Sequence, residues 1–99
     1  LSRLMDGDER ERLPPGEDRH RALALAIAAK EAASKAIGTG WSHGVRWRDV
    51  VLWPGPHPLV ELRGEALRFA ERLGSSGRTR VRLLFLDELV LAEVWLLSR

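Results

Sequence analysis

The residues best suited to chemistry lie in one stretch, Ala28-Ala29-Lys30-Glu31-Ala32-Ala33-Ser34-Lys35-Ala36-Ile37-Gly38-Thr39-Gly40. At about 100° per residue on a helix, Glu31 and Lys35 fall together on the side opposite the apolar stripe, one turn beyond Ala24 and Ala28. A carboxylate and an ammonium thus stand over a floor of small side chains, with room above for a ligand. A carboxylate there can hold Mg²⁺, a hard cation that takes oxygen ligands and shares them with substrate phosphates. A lysine one turn along can neutralise charge on a phosphate or pyrophosphate. Gly38-Thr39-Gly40 at the helix end lets a ligand come close to the backbone. The same residues have a plainer use. Glu at i and Lys at i+4 is the favoured orientation for a helix-surface ion pair worth about 0.2–0.5 kcal/mol, with the glycines serving only as a cap and a turn. Lysine usage bears on the choice, because Lys30 and Lys35 are the chain's two lysines beside 14 arginines. Compact ammonium charges placed close together suit a site that wants point charges rather than guanidinium forks.

The element that must carry these residues is a helix over Glu17–Ile37, where Ala22, Leu25, Ala26, Ala29, Ala33, Ala36 and Ile37 form one apolar stripe. Ahead of it, Leu1–Leu13 reads as a polar, partly helical opening stopped by Pro14-Pro15-Gly16. Val45–Trp53 and Leu59–Arg63 read as strands around the turn Pro54-Gly55-Pro56-His57-Pro58. Gly64–Leu73 is a second amphipathic helix, and Arg78–Leu86 with Leu89–Leu97 forms a hairpin around Asp87-Glu88. This order predicts an α+β domain with an antiparallel sheet packed on the long helix. Leu83-Leu84-Phe85-Leu86 is apolar on both strand faces, so one face covers the helices and the other calls for a second subunit.

Composition bounds the rest. The 99 residues make one domain, 1–99, and 44% hydrophobic with 30% charged residues fits a folded chain. No cysteine is present, which excludes disulfides, thiolate zinc sites and a Cys nucleophile. The formal charge is only +2 and the basic residues are spread among acidic and apolar ones, which argues against nucleic acid and suits an acidic protein partner. No apolar run reaches membrane-span length and no signal peptide opens the chain, so the expected location is cytoplasmic. His20, His43 and His57 lack metal-ligand spacing, and Ser34 has no base at helical spacing. Trp41, Trp47, Trp53 and Trp95 read as core or interface anchors, Trp41 also as a possible border of a ligand pocket.

The stretch AAKEAASKAIGTG closely resembles the signature of the holo-acyl-carrier-protein synthases, a type of 4'-phosphopantetheinyl transferase. Gly44-Val45-Arg46-Trp47-Arg48-Asp49-Val50 is similar to the strand that follows in that family. Arg3-Leu4-Met5-Asp6 with Glu9, and Leu91-Ala92-Glu93-Val94, resemble its opening and closing segments. The resemblance implies a holo-acyl-carrier-protein-synthase-like fold assembled as a homotrimer with sites between protomers. It also implies Mg²⁺-dependent transfer of 4'-phosphopantetheine from coenzyme A to a serine of an acyl carrier protein. By position, Glu31 is the catalytic metal ligand and Lys35 the catalytic, phosphate-facing lysine. Lys30, Gly38, Thr39, Gly40 and His57 join Lys35 as coenzyme A contacts.

Three features depart from the family pattern. The N-terminal strand with its Gly-x-Asp metal ligand is absent from this sequence, and Asp6 and Asp8 belong to the next segment. Ala26 stands where the family carries Arg, which removes a bidentate phosphate partner. Arg78–Leu97 contains neither Ser nor His, where the family has a Ser-x-Ser-His motif. The resulting expectation is a family member of impaired activity. The alternatives are a non-catalytic scaffold or carrier-protein-binding relative, or another enzyme built on the same cleft.

Overall fold

The structure, a computed structural model, describes residues 4–87 and 89–99. Helix α1 spans Gly7–Glu11, and five residues do not make a stable helix unaided. A capping box holds it: Asp6 Oδ1 accepts from the Glu9 amide at 2.8 Å and the Asp6 amide donates to Glu9 Oε1 at 3.3 Å. Helix α2 spans Glu17–Ala36, rich in alanine, with Glu17 and Asp18 at the positive end of its dipole and Lys35 at the negative end. A 3-10 turn at Trp47–Asp49 leads into β1 (Val50–Trp53), which pairs antiparallel with β2 (Leu59–Leu62) from Val50↔Leu62 to Trp53↔Leu59. Helix α3 (Gly64–Arg72) then leads to the long hairpin of β3 (Ser75–Leu86) and β4 (Leu89–Ser98), irregular in register between Ser75 and Thr79.

The two antiparallel pairs lie against each other through β2 and β3, where the Thr79 hydroxyl donates to the Val60 carbonyl at 2.6 Å. Helix α2 packs mainly across β4, and α3 across β3. Helices contribute small residues to the core (Ala26, Ala29, Ala33, Ala66, Ala70) and strands contribute branched ones (Val50, Leu52, Val60, Leu62). Alanine on the inward face lets a helix backbone approach the sheet closely, and the branched side chains fill the remaining space.

The expected α+β order and the antiparallel hairpin are present, with helix ends within a residue of expectation. The strand expected from Val45 begins only at Val50. Asp49 is the reason: its carboxylate accepts from the Arg46 amide at 3.1 Å, which closes the 3-10 turn in place of a ladder. The short partner β2, moreover, offers pairing only to Val50–Trp53.

Within this core sits a charge. Lys30 is fully buried, and Glu9 is 4% exposed. The ammonium has three protons and three acceptors: Glu9 Oε1 at 2.9 Å, the Trp47 carbonyl at 2.9 Å and the Val50 carbonyl. Glu9 Oε2 in turn accepts from the Leu52 amide at 3.0 Å. Burial pushes Lys30 below the ordinary lysine range, while the hydrogen bond and charge of Glu9 pull it back. Replacing Lys30 by Met should leave a buried carboxylate and two carbonyls without their donor, at a cost of about 3–5 kcal/mol. Lys35→Met, at an exposed position, should change stability by less than about 0.5 kcal/mol. Urea unfolding of the two variants checks this contrast.

Candidate functional site

The side of α2 turned away from the core carries the candidate site. Inward, Ala26, Ala29, Lys30, Ala33 and Ser34 are buried, while outward Ala24 and Lys35 are exposed and Ala28 and Glu31 are half-buried. Glu31 and Lys35 share the outer face, as their spacing requires. No ion pair joins them. The plain surface-pair reading therefore does not describe this helix. Glu31 Oε1 instead accepts a hydrogen bond from the Trp41 indole Nε1 at 3.2 Å. The Trp41 ring stacks on Trp47, with centroids 4.0 Å apart and planes 16° from parallel.

Gly38, with φ of +79°, and Gly40, with φ of +58°, supply the left-handed backbone that wraps the end of α2. The Gly38 amide donates to the Lys35 carbonyl at 3.1 Å and the Gly40 amide to the Ser34 carbonyl at 3.3 Å. A Cβ built on either glycine would meet no atom within 4 Å, so the space beside both is open. This loop brings Trp41 back over the helix to Glu31. Thr39 spends its hydroxyl on the Gly40 carbonyl at 2.9 Å. Ser34 is buried and donates to the Glu31 carbonyl at 2.8 Å, which ties it to the backbone.

Glu31 and Lys35 thus share the outer face of α2, and Gly38, Thr39 and Gly40 follow directly at its C-terminal end. Two other expected residues lie on other parts of the fold. His57 lies exposed in the turn between β1 and β2. Lys30, expected to touch a cofactor, is sealed in the core with all three protons committed, so its side chain offers a ligand nothing. The signal for this was its place at the edge of the apolar stripe, on the side facing the core. Ala26 also points inward, lining a cavity of about 60 Å³ with Met5, Leu13, Leu25 and Leu52. By sequence Trp41 is an anchor or pocket border; its bond to Glu31 depends on the loop path, which no spacing encodes.

The donor set limits what cation could sit here. Among the described residues no three His, Cys, Asp or Glu side chains converge as a metal cage. Glu31 presents a carboxylate whose second oxygen has no hydrogen bond among the described residues. Such a group fits Mg²⁺, which keeps several waters and binds through one or two carboxylates together with substrate phosphates.

Comparison with known proteins bears on this surface. The family model described as the 4'-phosphopantetheinyl transferase superfamily matches residues 1–92. A holo-[acyl-carrier-protein] synthase of Alkalilimnicola ehrlichii is 44% identical over 80 residues, covering 78% of this chain and 62% of that protein. One from Solibacter usitatus is 55% identical over 53 residues, 52% of this chain and 42% of its own length. The chain therefore spans only part of the curated relatives it matches. Among solved structures, the holo-[acyl-carrier-protein] synthase of Neisseria meningitidis aligns at 30% identity and a TM-score of 0.77, covering 94% of this chain and 75% of that one. The Helicobacter pylori synthase, crystallised with coenzyme A, aligns at a TM-score of 0.75 and 21% identity over 97% of this chain and 79% of its own, a likeness of fold.

Proposed function

This chain belongs to the 4'-phosphopantetheinyl transferase superfamily, and from that premise we propose that it carries part of a Mg²⁺-dependent site. The reaction is transfer of 4'-phosphopantetheine from coenzyme A to a serine of an acyl carrier protein. The serine oxygen forms the new P–O bond, the pyrophosphate P–O bond breaks, and adenosine 3',5'-bisphosphate leaves. One observation carries the reading: Glu31 and Lys35 share the outer face of α2 without pairing, beside a left-handed glycine loop. A carboxylate and an ammonium held apart at that spacing are available to a cation and to an anion respectively. Glu31 would hold Mg²⁺, which when bound supplies charge neutralisation to the phosphates. Lys35 would face the phosphates directly, Gly38, Thr39 and Gly40 would line the approach, and His57 would meet coenzyme A from the β1–β2 turn.

Turnover by this stretch of chain is slow in our reading. Phosphoryl transfer depends largely on positioning and charge neutralisation, and among the described residues no three metal-ligating side chains converge around Glu31. Removing one well-placed electrostatic partner costs on the order of a hundred- to a thousandfold in rate. Ala26 adds no guanidinium, and the outer face of the hairpin near Leu84 and Leu86 is apolar where the family is polar.

The same hairpin supports assembly as a homotrimer. Leu84, Leu86, Leu89, Leu91 and Trp95 lie on one face of β3 and β4 by their register, and each is at least 36% exposed. A row of exposed large side chains on a small domain is the usual mark of a buried interface.

Three measurements test this reading. Mg²⁺ with coenzyme A should raise the melting temperature by mass action, and Glu31→Gln should abolish the shift while leaving the unliganded melting temperature within a few degrees. An unshifted wild type at millimolar ligand would refute the metal assignment. Mass spectrometry of apo acyl carrier protein with coenzyme A, Mg²⁺ and this chain should show little pantetheinylated product. Efficient product that is lost in Lys35→Ala would overturn the claim of slow turnover. Sedimentation at micromolar concentration should give an oligomer, whereas a stable monomer would rule out the hairpin interface.

A further inference from the structure

Trp41 has a place in this site that its sequence position does not explain. Its indole N–H donates to Glu31 Oε1 at 3.2 Å, and its ring lies flat on Trp47 at 4.0 Å. Trp47 is held in its turn, because its carbonyl accepts one of the three protons of buried Lys30 at 2.9 Å. Lys30 and Glu31 are adjacent on α2, so the chain of contacts closes on itself: Lys30, the Trp47 backbone, the two stacked rings, and Glu31.

We propose that Trp41 is a positioning residue for Glu31, an indole clasp that fixes the carboxylate by one oxygen and leaves Oε2 as the oxygen presented to a divalent cation. The inference rests on the metal reading of Glu31 given above. A glutamate on a helix face ordinarily samples several rotamers, and a cation binding it must bear the cost of ordering it. A neutral donor fits this task better than a cation does. Lys35 bonded to Glu31 would spend the positive charge needed for a phosphate, whereas an indole orients the carboxylate and leaves its charge available to Mg²⁺. Trp also supplies a donor with no acceptor, so the hydrogen bond has one polarity. Stacking on Trp47 restrains the ring, so the clasp itself is already ordered before a ligand arrives. Groups that orient a metal's ligands through hydrogen bonds contribute about 10- to 100-fold to metal affinity.

The test uses the protein labelled with 5-fluorotryptophan, the Trp41 resonance being assigned by its absence from Trp41→Phe. Mg²⁺ is titrated in the presence of coenzyme A, with fluorine NMR as one readout and calorimetric Mg²⁺ affinity as the other. The Trp41 resonance should move on Mg²⁺ addition in the wild type and stay still in Glu31→Gln. Trp41→Phe, which keeps an aromatic ring against Trp47 and deletes the donor, should bind Mg²⁺ about tenfold more weakly with coenzyme A affinity in the absence of metal unchanged. A purely structural Trp41 would lower the melting temperature and leave Mg²⁺ affinity untouched. Unchanged Mg²⁺ affinity in Trp41→Phe, with binding abolished in Glu31→Gln, would overturn the clasp and leave Glu31 as metal ligand. Undiminished Mg²⁺ affinity in Glu31→Gln would overturn the clasp together with the reading beneath it. The wild-type resonance decides the matter independently should Trp41→Phe fold poorly: no movement at saturating Mg²⁺ overturns the proposal.

Discussion

The organisation of this protein depends on one buried ion pair. An ammonium enclosed by protein is tolerable only when every proton finds an acceptor, and Lys30 meets that condition with Glu9, Trp47 and Val50. The acceptors come from α1 and from the contiguous 3-10 turn and β1, which lie far from α1 in the chain. Helix α1 is five residues long and β1 four. Neither would keep its place on propensity alone, and Glu9 binds both by accepting from Lys30 and from the Leu52 amide. The pair adds little net energy compared with an apolar substitute. Its effect is specification, because only one arrangement of these three segments satisfies all of its donors and acceptors.

That constraint reaches the outer surface through helix geometry. Lys30 and Glu31 are consecutive, so anchoring Lys30 inward sets the rotation of α2 and with it the direction of Glu31 and Lys35. Trp47 contributes its carbonyl to the buried lysine and its ring to Trp41, so interior and surface share a residue. A site built in this way has its charged groups directed by the core rather than by each other. This accounts for the absence of a Glu31–Lys35 pair, which helix spacing alone favours.

Charge is sorted differently on the hairpin. Arg82 and Glu93 face each other across β3 and β4 at 3.2 Å, within the same face that carries Leu84, Leu91 and Trp95. An exposed pair of this kind contributes little to stability. Its neighbours are large apolar side chains left in solvent, while the opposite face half-buries Val81, Leu83, Val94 and Leu96 against the core. Two faces of the same strands therefore do different work, one closing the domain and the other available to a further subunit.

Much of this was legible in the amino-acid order. Period-3.6 alanines placed α2, Gly38 placed its end, paired apolar runs around Asp87-Glu88 placed the hairpin, and Glu31 with Lys35 fell on a common outer face by spacing alone. Each of these rests on contacts between residues near in sequence, where local geometry leaves few choices. Three features were decided only by the tertiary structure. Lys30 matched the motif as well as Lys35 did, but its burial depends on a carboxylate 21 positions earlier. Val45–Asp49 has strand-forming residues, yet the short partner β2 and the Asp49 carboxylate left it unpaired. Trp41 met Glu31 because a left-handed loop turned the chain back over the helix, and stacking on Trp47 held it there. In each case the deciding partner lies across a turn or on another element, so its identity follows from how the elements pack and not from the order of residues within any one of them.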